Sequence, residues 1–231
     1  MLTIHAADLL VTGDRRPSLP GGAVLVDGRA IAAVGPYEEL AAAHPTARVR
    51  RWPGLLTPGL LNPYGPELLE HAYHPDPREA DELGTEPLTG EALAALAMTD
   101  ARWGASARRG VQRMLAHGTV AVAGELGRPA VLDAVRRAGM ATEPRLAPPA
   151  GPPSLDPLAS ARSLAEAVIR PLPSAGVATS AGVATSAGVA TFAGVATFAV
   201  FDVPDEATLL ERGAATCVAT VVAGRLVHRR R

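Results

Sequence analysis

The sequence is divided by a long uncharged segment, residues 171–201, in which one six-residue unit occurs four times in succession. The unit SAGVAT begins at Ser174, Ser180 and Ser186, and a fourth copy, FAGVAT, begins at Phe192. This AGVATS repeat has three interpretations: a left-handed parallel β-helix, a disordered tract, or a loop lengthened by replication slippage. Because four short copies are too few to bury a core by stacking, we favour the last two.

The same segment is longer than the roughly 20 residues that a membrane-spanning helix needs. It consists mostly of alanine, glycine, serine, threonine and valine, however, and Pro171 and Pro173 open it. At the start of the chain, residues 1–14 contain Asp8 within their apolar run and lack the basic region of a targeting peptide. We therefore expect no membrane association and a cytoplasmic location.

The basic residues and the cysteine content exclude several kinds of site. The 22 lysine-plus-arginine positions among the 231 residues are all arginine, so no lysine is present for a Schiff base or a phosphate-binding P-loop. The single cysteine, Cys217, forms no internal disulfide and lies in an apolar segment typical of a buried strand. Because the net charge is −1 and aromatic residues make up 3% of the chain, we expect no nucleic-acid partner.

Alternating apolar residues and turn signals predict short strands near both ends of the chain. The first part is predicted to form a hairpin that turns at Gly28, flanked by further elements: strands 2–11, 22–27, 30–34 and 48–52, and helix 37–43. The last part is predicted to contain a second hairpin, which turns at Ala223-Gly224: strand 198–203, helix 205–212, and strands 216–222 and 225–229.

The middle of the chain alternates between helical and strand patterns, which indicates an α/β segment. Helical spacing covers residues 91–117, where Gly104 and Gly110 are candidate breaks. The other predicted elements are strand 119–123, helix 128–138, strand 141–146, a proline-rich linker at 147–157 and helix 160–169.

Strings near both ends of the chain carry a family resemblance. GAVLVDGRAIAAVGP at 22–36 is followed by LLTPGLLN at 55–62, and the last part contains AGVATFAVFDV at 193–203 and VATVVAGRLV at 218–227. These strings resemble the two ends of amidohydrolase-superfamily enzymes, and more narrowly the imidazolonepropionase and aminodeoxyfutalosine deaminase branch. The resemblance implies a composite β-sandwich built from both ends of the chain, an inserted metal-dependent (β/α)8 barrel, and hydrolysis of carbon–nitrogen bonds other than peptide bonds.

The chain is too short for a whole barrel. A (β/α)8 barrel takes about 250 residues, whereas 136 residues, 62–197, separate Leu61 from Phe198. We therefore predict an α/β (α+β) protein of three parts: a composite β-sandwich of residues 1–56 and 198–231, a barrel remnant at 57–146, and a segment at 147–197 that holds the proline-rich linker, a short helix and the repeat.

The metal ligands that the resemblance implies are missing from this sequence. The family places a His-x-His motif for zinc or iron just after the string at 55–62, and Tyr64 and Pro66 stand there instead. Proline has no side-chain donor atom, and neutral tyrosine is a poor ligand for such metals. We therefore predict no cofactor, no metal ligands and no metal-dependent activity, which would make the protein a pseudoenzyme.

A rearranged site would need other residues from the same short segment. The candidates for such a pocket are Asn62, Tyr64, Glu67 and His74. If the segment were one helix, Glu67 and His74 could share a divalent ion with Glu70 and His71. The alternative, which we favour, is a solvated and charged turn.

Three functions remain open from the sequence. They are a hydrolase that has lost its activity, a hydrolase or lyase with a rearranged site, and a non-catalytic binding or assembly module. A shortened barrel exposes strand edges and apolar helix faces, which a homo-oligomer or a related full-length hydrolase could cover. The sequence does not identify a small-molecule ligand.

Overall fold

The computed structural model of the chain describes residues 1–14, 16–173 and 194–230. The first three copies of the six-residue unit and the start of the fourth lie outside the described residues. The three interpretations of the repeat therefore stay predictions.

Within the described residues, strands form at both ends of the chain and in its middle. They are β1 (Leu2–Leu10), β2 (Leu19–Pro20), β3 (Gly22–Asp27), β4 (Ala30–Pro36), β5 (Arg48–Pro58), β6 (Leu60–Asn62), β7 (Thr119–Ala123), β8 (Ala141–Glu143), β9 (Phe198–Phe201), β10 (Cys217–Val222) and β11 (Arg225–Arg229).

The helices are mostly short. They are α1 (Tyr37–Ala43), α2 (Gly65–Leu69), α3 (Ala80–Leu83), α4 (Gly90–Ala94), α5 (Asp100–Leu115), α6 (Pro129–Ala138), α7 (Leu164–Ala167) and α8 (Glu206–Arg212), with 3-10 turns at Pro77–Glu79 and Ala214–Thr216. No helix in the described parts of the chain is long and apolar enough to cross a membrane.

One large sheet joins the two ends of the chain. Its strand order is β11-β10-β9-β5-β1-β3-β4, with β2 paired to β1. The central strand is β5, whose first part runs parallel to β1 and whose last part runs antiparallel to β9. The predicted hairpins β3–β4 and β10–β11 are both present, because their turns at Gly28 and Gly224 adopt the positive φ angles that glycine permits.

The large sheet curls until its two hairpin turns meet. The Ile31 N–H donates to Gly194, the Ala196 N–H donates to Arg29, and the Gly224 N–H donates to Ala196. The inner face of the curled sheet packs on itself around buried apolar side chains of its strands. The strands predicted to form a β-sandwich thus belong to one continuous sheet, because β5 bonds to strands from both ends of the chain.

The outer face of the large sheet is covered by helices. Helix α1 packs Leu40 on side chains of β1 and β3. Near β5, β9 and β10, the cover comes from Leu164 of α7 and Leu209 of α8. Cys217 is fully buried there, and this burial raises the pKa of its thiol to about 11, in agreement with its interpretation as a small apolar side chain.

A second, parallel sheet contains the strands of the middle segment in the order β6-β7-β8. Helices α5 and α6 connect these strands and bury Val111, Met114 and Val135 against them. The mixed α/β class is thus confirmed. The two sheets contact each other through a buried hydrogen bond of 2.6 Å, which the Thr220 hydroxyl of β10 donates to the Leu115 carbonyl at the end of α5.

Several boundaries differ from the sequence prediction, including those of two helices. The break in the helical segment falls at residues 95–99 and not at a glycine, because Thr99 starts a new helix by accepting the Arg102 N–H with its hydroxyl. Gly110 stays inside α5, where its missing side chain leaves room for the His74 ring. The predicted helix at 160–169 shrinks to the single turn of α7.

Gly54 lies at the irregularity in the pairing of β5 with β1, just before the part of β5 that also pairs with β9. Its φ is +72°, and a Cβ there would lie 2.7 Å from the Val203 oxygen and closer still to that of Phe201. We expect Gly54→Ala to lower the free energy of unfolding by at least about 2 kcal/mol, as measured with urea.

The matched control is Gly28→Ala, because Gly28 has a φ of +58° but open space around it. Only backbone strain acts there, so we expect the free energy of unfolding to fall by about 1 kcal/mol. Equal losses for the two variants would show that the close approach at Gly54 does not constrain the sheet.

Candidate functional site

The carboxyl ends of the parallel strands β6, β7 and β8 are where an α/β sheet of this kind holds its ligands. Asn62 ends β6, and Tyr64 and Glu67 follow it at the start of α2. Arg145 follows β8 by two residues. These four side chains bond to one another or to nearby backbone segments of the same chain.

Asn62 and Tyr64 anchor the proline-rich segment over this end of the sheet. The fully buried Asn62 donates from Nδ2 to the Ser154 oxygen at 2.9 Å and accepts the Tyr64 N–H at 2.9 Å. The Tyr64 hydroxyl donates to the carbonyl groups of Ala150 and Gly151. The predicted linker thus forms a strap, residues 150–155, across the strand ends.

Arg145 and Glu67 form a bidentate ion pair at the ends of the parallel strands. The guanidinium donates to Oε1 of Glu67 at 2.8 Å and to Oε2 at 2.6 Å. It also donates to the Pro63 carbonyl at 2.7 Å and more weakly to the Ala123 carbonyl at 3.4 Å. A fixed positive charge therefore touches the ends of both β6 and β7.

This contact sets the charge state of both partners. The hydrogen bonds from Arg145 hold the pKa of Glu67 below its usual value, and the same bonds raise the pKa of Arg145. The carboxyl group is an ion at neutral pH, and its oxygens are already occupied by donors. It is therefore poorly suited to accept a proton from a substrate.

His74 is held by a different part of the fold. Its ring is almost fully buried, and Nε2 lies 2.8 Å from the Leu68 carbonyl. Its backbone N–H donates to the Ser106 hydroxyl, and its carbonyl accepts from Nε of Arg109, both on α5. Burial lowers the pKa of His74, so the ring is neutral at pH 7 and serves to dock the 70–76 loop on α5.

The other charged residues of this segment do not converge on His74. The Glu70 carboxylate accepts the N–H groups of Gly127 and Arg128 just before α6, at 3.1 and 2.6 Å. His71 is exposed. Among the described residues, no group of three or more histidine, cysteine, aspartate or glutamate side chains is arranged to hold a metal ion.

A zinc or iron ion does not fit the residues present at the strand ends. The Tyr64 hydroxyl is committed to the strap, and the Pro66 ring lies against Gly124, where a Cβ would approach the ring to 2.7 Å. The Arg145 guanidinium supplies a positive charge that would repel a second cation at short distance. We therefore derive no reaction step through a metal.

The pocket proposed from the sequence is divided by the structure. Asn62 and Tyr64 bond to the strap, Glu67 bonds to Arg145, and His74 lines a cavity of about 430 Å³ beside α5. None of the other three candidates lines that cavity. A cleft of about 360 Å³ lies beside the strap, yet none of the four candidates lines it.

Sequence reasoning missed Arg145, the residue with the most contacts at this site. One usable signal was present: an arginine directly after the third predicted parallel strand, where the strand ends of such a sheet gather ligand-binding residues. Arg170 was missed as well, and its guanidinium lies 3.8 Å from the Glu143 carboxylate at the end of β8.

Comparison with known proteins identifies the first part of the chain. Residues 22–47 match the family model described as the imidazolonepropionase-like composite domain of bacteria. These residues form β3, β4 and α1. This stretch of the chain is therefore similar to part of an imidazolonepropionase-like composite domain, in agreement with the resemblance seen in the sequence. No curated protein matches the chain.

Several solved structures resemble part of the chain. A. niger ochratoxinase aligns with 22% identity and a TM-score of 0.42, covering 62% of this chain and 31% of its own. A zinc-bound adenosine deaminase from Xanthomonas campestris aligns with 17% identity and a TM-score of 0.41, covering 61% and 32%. Helicobacter pylori aminofutalosine deaminase aligns with 15% identity and a TM-score of 0.36, covering 57% of this chain and 30% of its own. The chain spans about a third of the length of these proteins.

Replacing Glu67 by Gln should make stability less dependent on pH. At pH 7 we expect the free energy of unfolding to fall by about 1–2 kcal/mol, because the ion pair is only partly exposed to water. The folded-state pKa of Glu67 is lowered, so the contribution of the pair is complete above the unfolded pKa and is lost as the pH falls through the folded pKa. Urea unfolding of both proteins from pH 7 down to about pH 3 measures this.

Glu211→Gln serves as the control, because Glu211 is exposed on α8 and has no ion-pair partner among the described residues. The unfolding free energy of Glu211→Gln should equal that of the unaltered protein at every pH. A loss in Glu67→Gln that stayed constant with pH would contradict an ionised pair.

Proposed function

We propose that this protein is a non-catalytic member of the amidohydrolase type, in which the strand ends that would form a catalytic centre are closed by the Glu67–Arg145 pair. The family match supports the descent of the composite domain. The single observation that carries the loss of activity is the guanidinium of Arg145, which contacts Glu67, Pro63 and Ala123 at once.

Within this proposal, the division of the chain follows the sequence prediction. Residues 1–56 and 198–231 form the composite domain, and 57–146 are the remnant of a (β/α)8 barrel. Residues 147–197 connect the two parts. The three parallel strands β6, β7 and β8 with their helices α5 and α6 support the interpretation as successive β/α units.

The loss of catalysis follows from the chemistry of the side chains. Hydrolysis of a carbon–nitrogen bond needs an activated water molecule, and enzymes activate it with a metal ion or a general base. Here Tyr64 and Pro66 do not fit a metal, and each Glu67 oxygen already accepts a hydrogen bond from Arg145. The neutral ring of His74 is buried against α5.

The experiment combines metal content with activity on the purified protein. We expect less than stoichiometric zinc and iron by elemental analysis, and no hydrolysis of imidazolone propionate or deamination of adenine-type substrates. Removal of the strap contact and of the pair, in Tyr64→Phe and Glu67→Gln, should leave both results unchanged.

One tightly bound metal ion per chain would overturn the proposal. So would hydrolysis that survives in Glu211→Gln but is lost in Glu67→Gln, since that pattern would make Glu67 a working base. Hydrolysis that persisted at the same rate in Tyr64→Phe, Glu67→Gln and the control would point to a contaminating enzyme and leave the proposal standing.

We further propose that the protein acts as a binding or assembly module, as a homo-oligomer or with a related full-length hydrolase. Strand β8 supports this, because it pairs only with β7 within the described residues. Beside it opens a mainly apolar cavity of about 280 Å³, lined among others by Ala141 and Ile169. Unpaired strand edges and apolar openings of this kind are favourable contact surfaces.

Light scattering at micromolar concentration tests the homo-oligomer directly. We expect a mass of at least two chains, and a shift toward one chain in Thr142→Lys, which places a charge on the exposed position of β8. Thr46→Lys, an equal change in the exposed turn before β5, should keep the larger mass. A single-chain mass for the unaltered protein, with no capture of a full-length relative, would contradict an assembly role.

A further inference from the structure

A cluster of arginines lies at one end of the large sheet, far along the chain from the strap. Arg48, Arg50 and Arg51 of β5 and Arg229 of β11 line a cavity of about 250 Å³, together with apolar neighbours that include Trp52. In the part of the chain that the structure describes, none of these four arginines pairs with a carboxylate. The cavity therefore presents unpaired positive charge.

The register of the sheet brings these side chains together. Along a strand, alternate residues share a face, so Arg48 and Arg50 lie on the same face of β5 as Trp52, whose ring belongs to the inner core. Arg229 pairs with Ala219 of the same core. Its guanidinium lies 5.8 Å from the centre of the Trp52 ring. The arginines thus lie around one open end of the curled sheet, called the mouth below, and apolar residues line the inside of its cavity.

The positive charges act on one another. The pKa of Arg50 is lowered by its partial burial and by the charges of Arg48 and Arg229. Such repulsion opposes folding unless an anion relieves it. The whole chain carries a net charge of −1, so this concentration of arginine is local to the mouth of the sheet.

We propose that this mouth, defined by Arg48, Arg50 and Arg229, binds a small phosphate-type anion such as pyrophosphate or the terminal phosphate of a small molecule. Arginine presents a planar set of donors that matches phosphate oxygens two at a time. The cavity is smaller than the roughly 300–1,000 Å³ of pockets for drug-sized ligands. A compact cluster in a concave opening fits a small anion better than a nucleic-acid strand, which needs an extended basic stripe. The site is independent of the proposed function.

Trp52 provides a direct signal for binding. The other tryptophan, Trp103, is a buried residue of α5 outside the cluster, so a Trp103→Phe variant, used as the reference protein, keeps Trp52 as its sole tryptophan. Pyrophosphate is added at constant ionic strength, with sodium chloride as the reference salt. We expect a saturable change in Trp52 fluorescence and a higher melting temperature with pyrophosphate, since a ligand of the folded state stabilises it.

Arg50→Gln and Arg229→Gln should each weaken pyrophosphate binding by about tenfold or more, the effect of losing one charge-assisted contact. Arg136→Gln, on the exposed face of α6, removes one positive charge outside the cluster. This variant should bind pyrophosphate as tightly as the Trp103→Phe protein does. Without ligand, Arg50→Gln should melt no lower than the Trp103→Phe protein at low salt, because one source of repulsion is gone. This melt separates loss of binding from loss of folding.

Three results would overturn the proposal. The first is no saturable response to pyrophosphate in the Trp103→Phe protein. The second is equal weakening in Arg136→Gln, which would indicate a general charge effect. The third is binding to a single-stranded oligonucleotide, or to phosphatidylglycerol–phosphatidylcholine vesicles, with no response to pyrophosphate or inorganic phosphate, because that would assign the cluster to a polymer or a membrane surface.

Discussion

The pairing of β5 with strands from both ends of the chain is the constraint on which the rest of the structure depends. Its residues 48–56 pair with β1 along one edge, and its residues 55–58 pair with β9 along the other. Gly54 makes this double pairing feasible, because its N–H donates to the Asp8 carboxylate at 2.7 Å and a Cβ there would meet the backbone of Phe201 and Val203. The curl of the sheet, its inner core and the arginine-lined mouth all follow from this one strand.

Charge is distributed differently in the two halves of the molecule. At the strand ends of the small sheet, Arg145 meets Glu67 and backbone carbonyl groups, so charge is neutralised internally. At the mouth of the large sheet, Arg50 meets other arginines. Positive charge with internal partners closes a site, whereas positive charge without them can attract a ligand from solution. The strand ends of the small sheet, which are the usual position of a catalytic site, are thus less available to a ligand than the mouth of the large sheet.

Local sequence signals predicted the local elements well. The bounds of α1 and β7 agree with the prediction, and the predicted helix at 128–138 ends where expected, before Gly139 in the left-handed conformation. These elements are defined by neighbours in sequence, through turn residues, caps and apolar spacing. The large sheet depends on pairing between β5 and β9, more than a hundred residues apart, and no local pattern encodes whether such strands form one sheet or two.

The site was harder to predict for the same reason. The favoured interpretation, a solvated turn, was wrong for Glu70 and His74, which are buried. The alternative of one helix through Glu67 and His74 was wrong as well, because α2 ends at Leu69, after which the chain turns toward α5. The pairing of Glu67 with Arg145 links positions 78 residues apart, and the strap bonds Asn62 to a segment 92 residues away. The residue types were visible in the sequence, but their partners depend on the completed fold.

The contact between β5 and β9 has a consequence for biosynthesis. A chain emerges from the ribosome with its first part leading, so β1, β3, β4 and β5 are made long before β9 and β10 exist. Until then, the free edge of β5 and the inner face that carries Trp52 have no cover from the last strands. Long-range pairing of this kind delays folding and prolongs the exposure of apolar strands. The growing chain must therefore be protected from aggregation, by chaperones or by rapid completion of synthesis, until its last strands arrive.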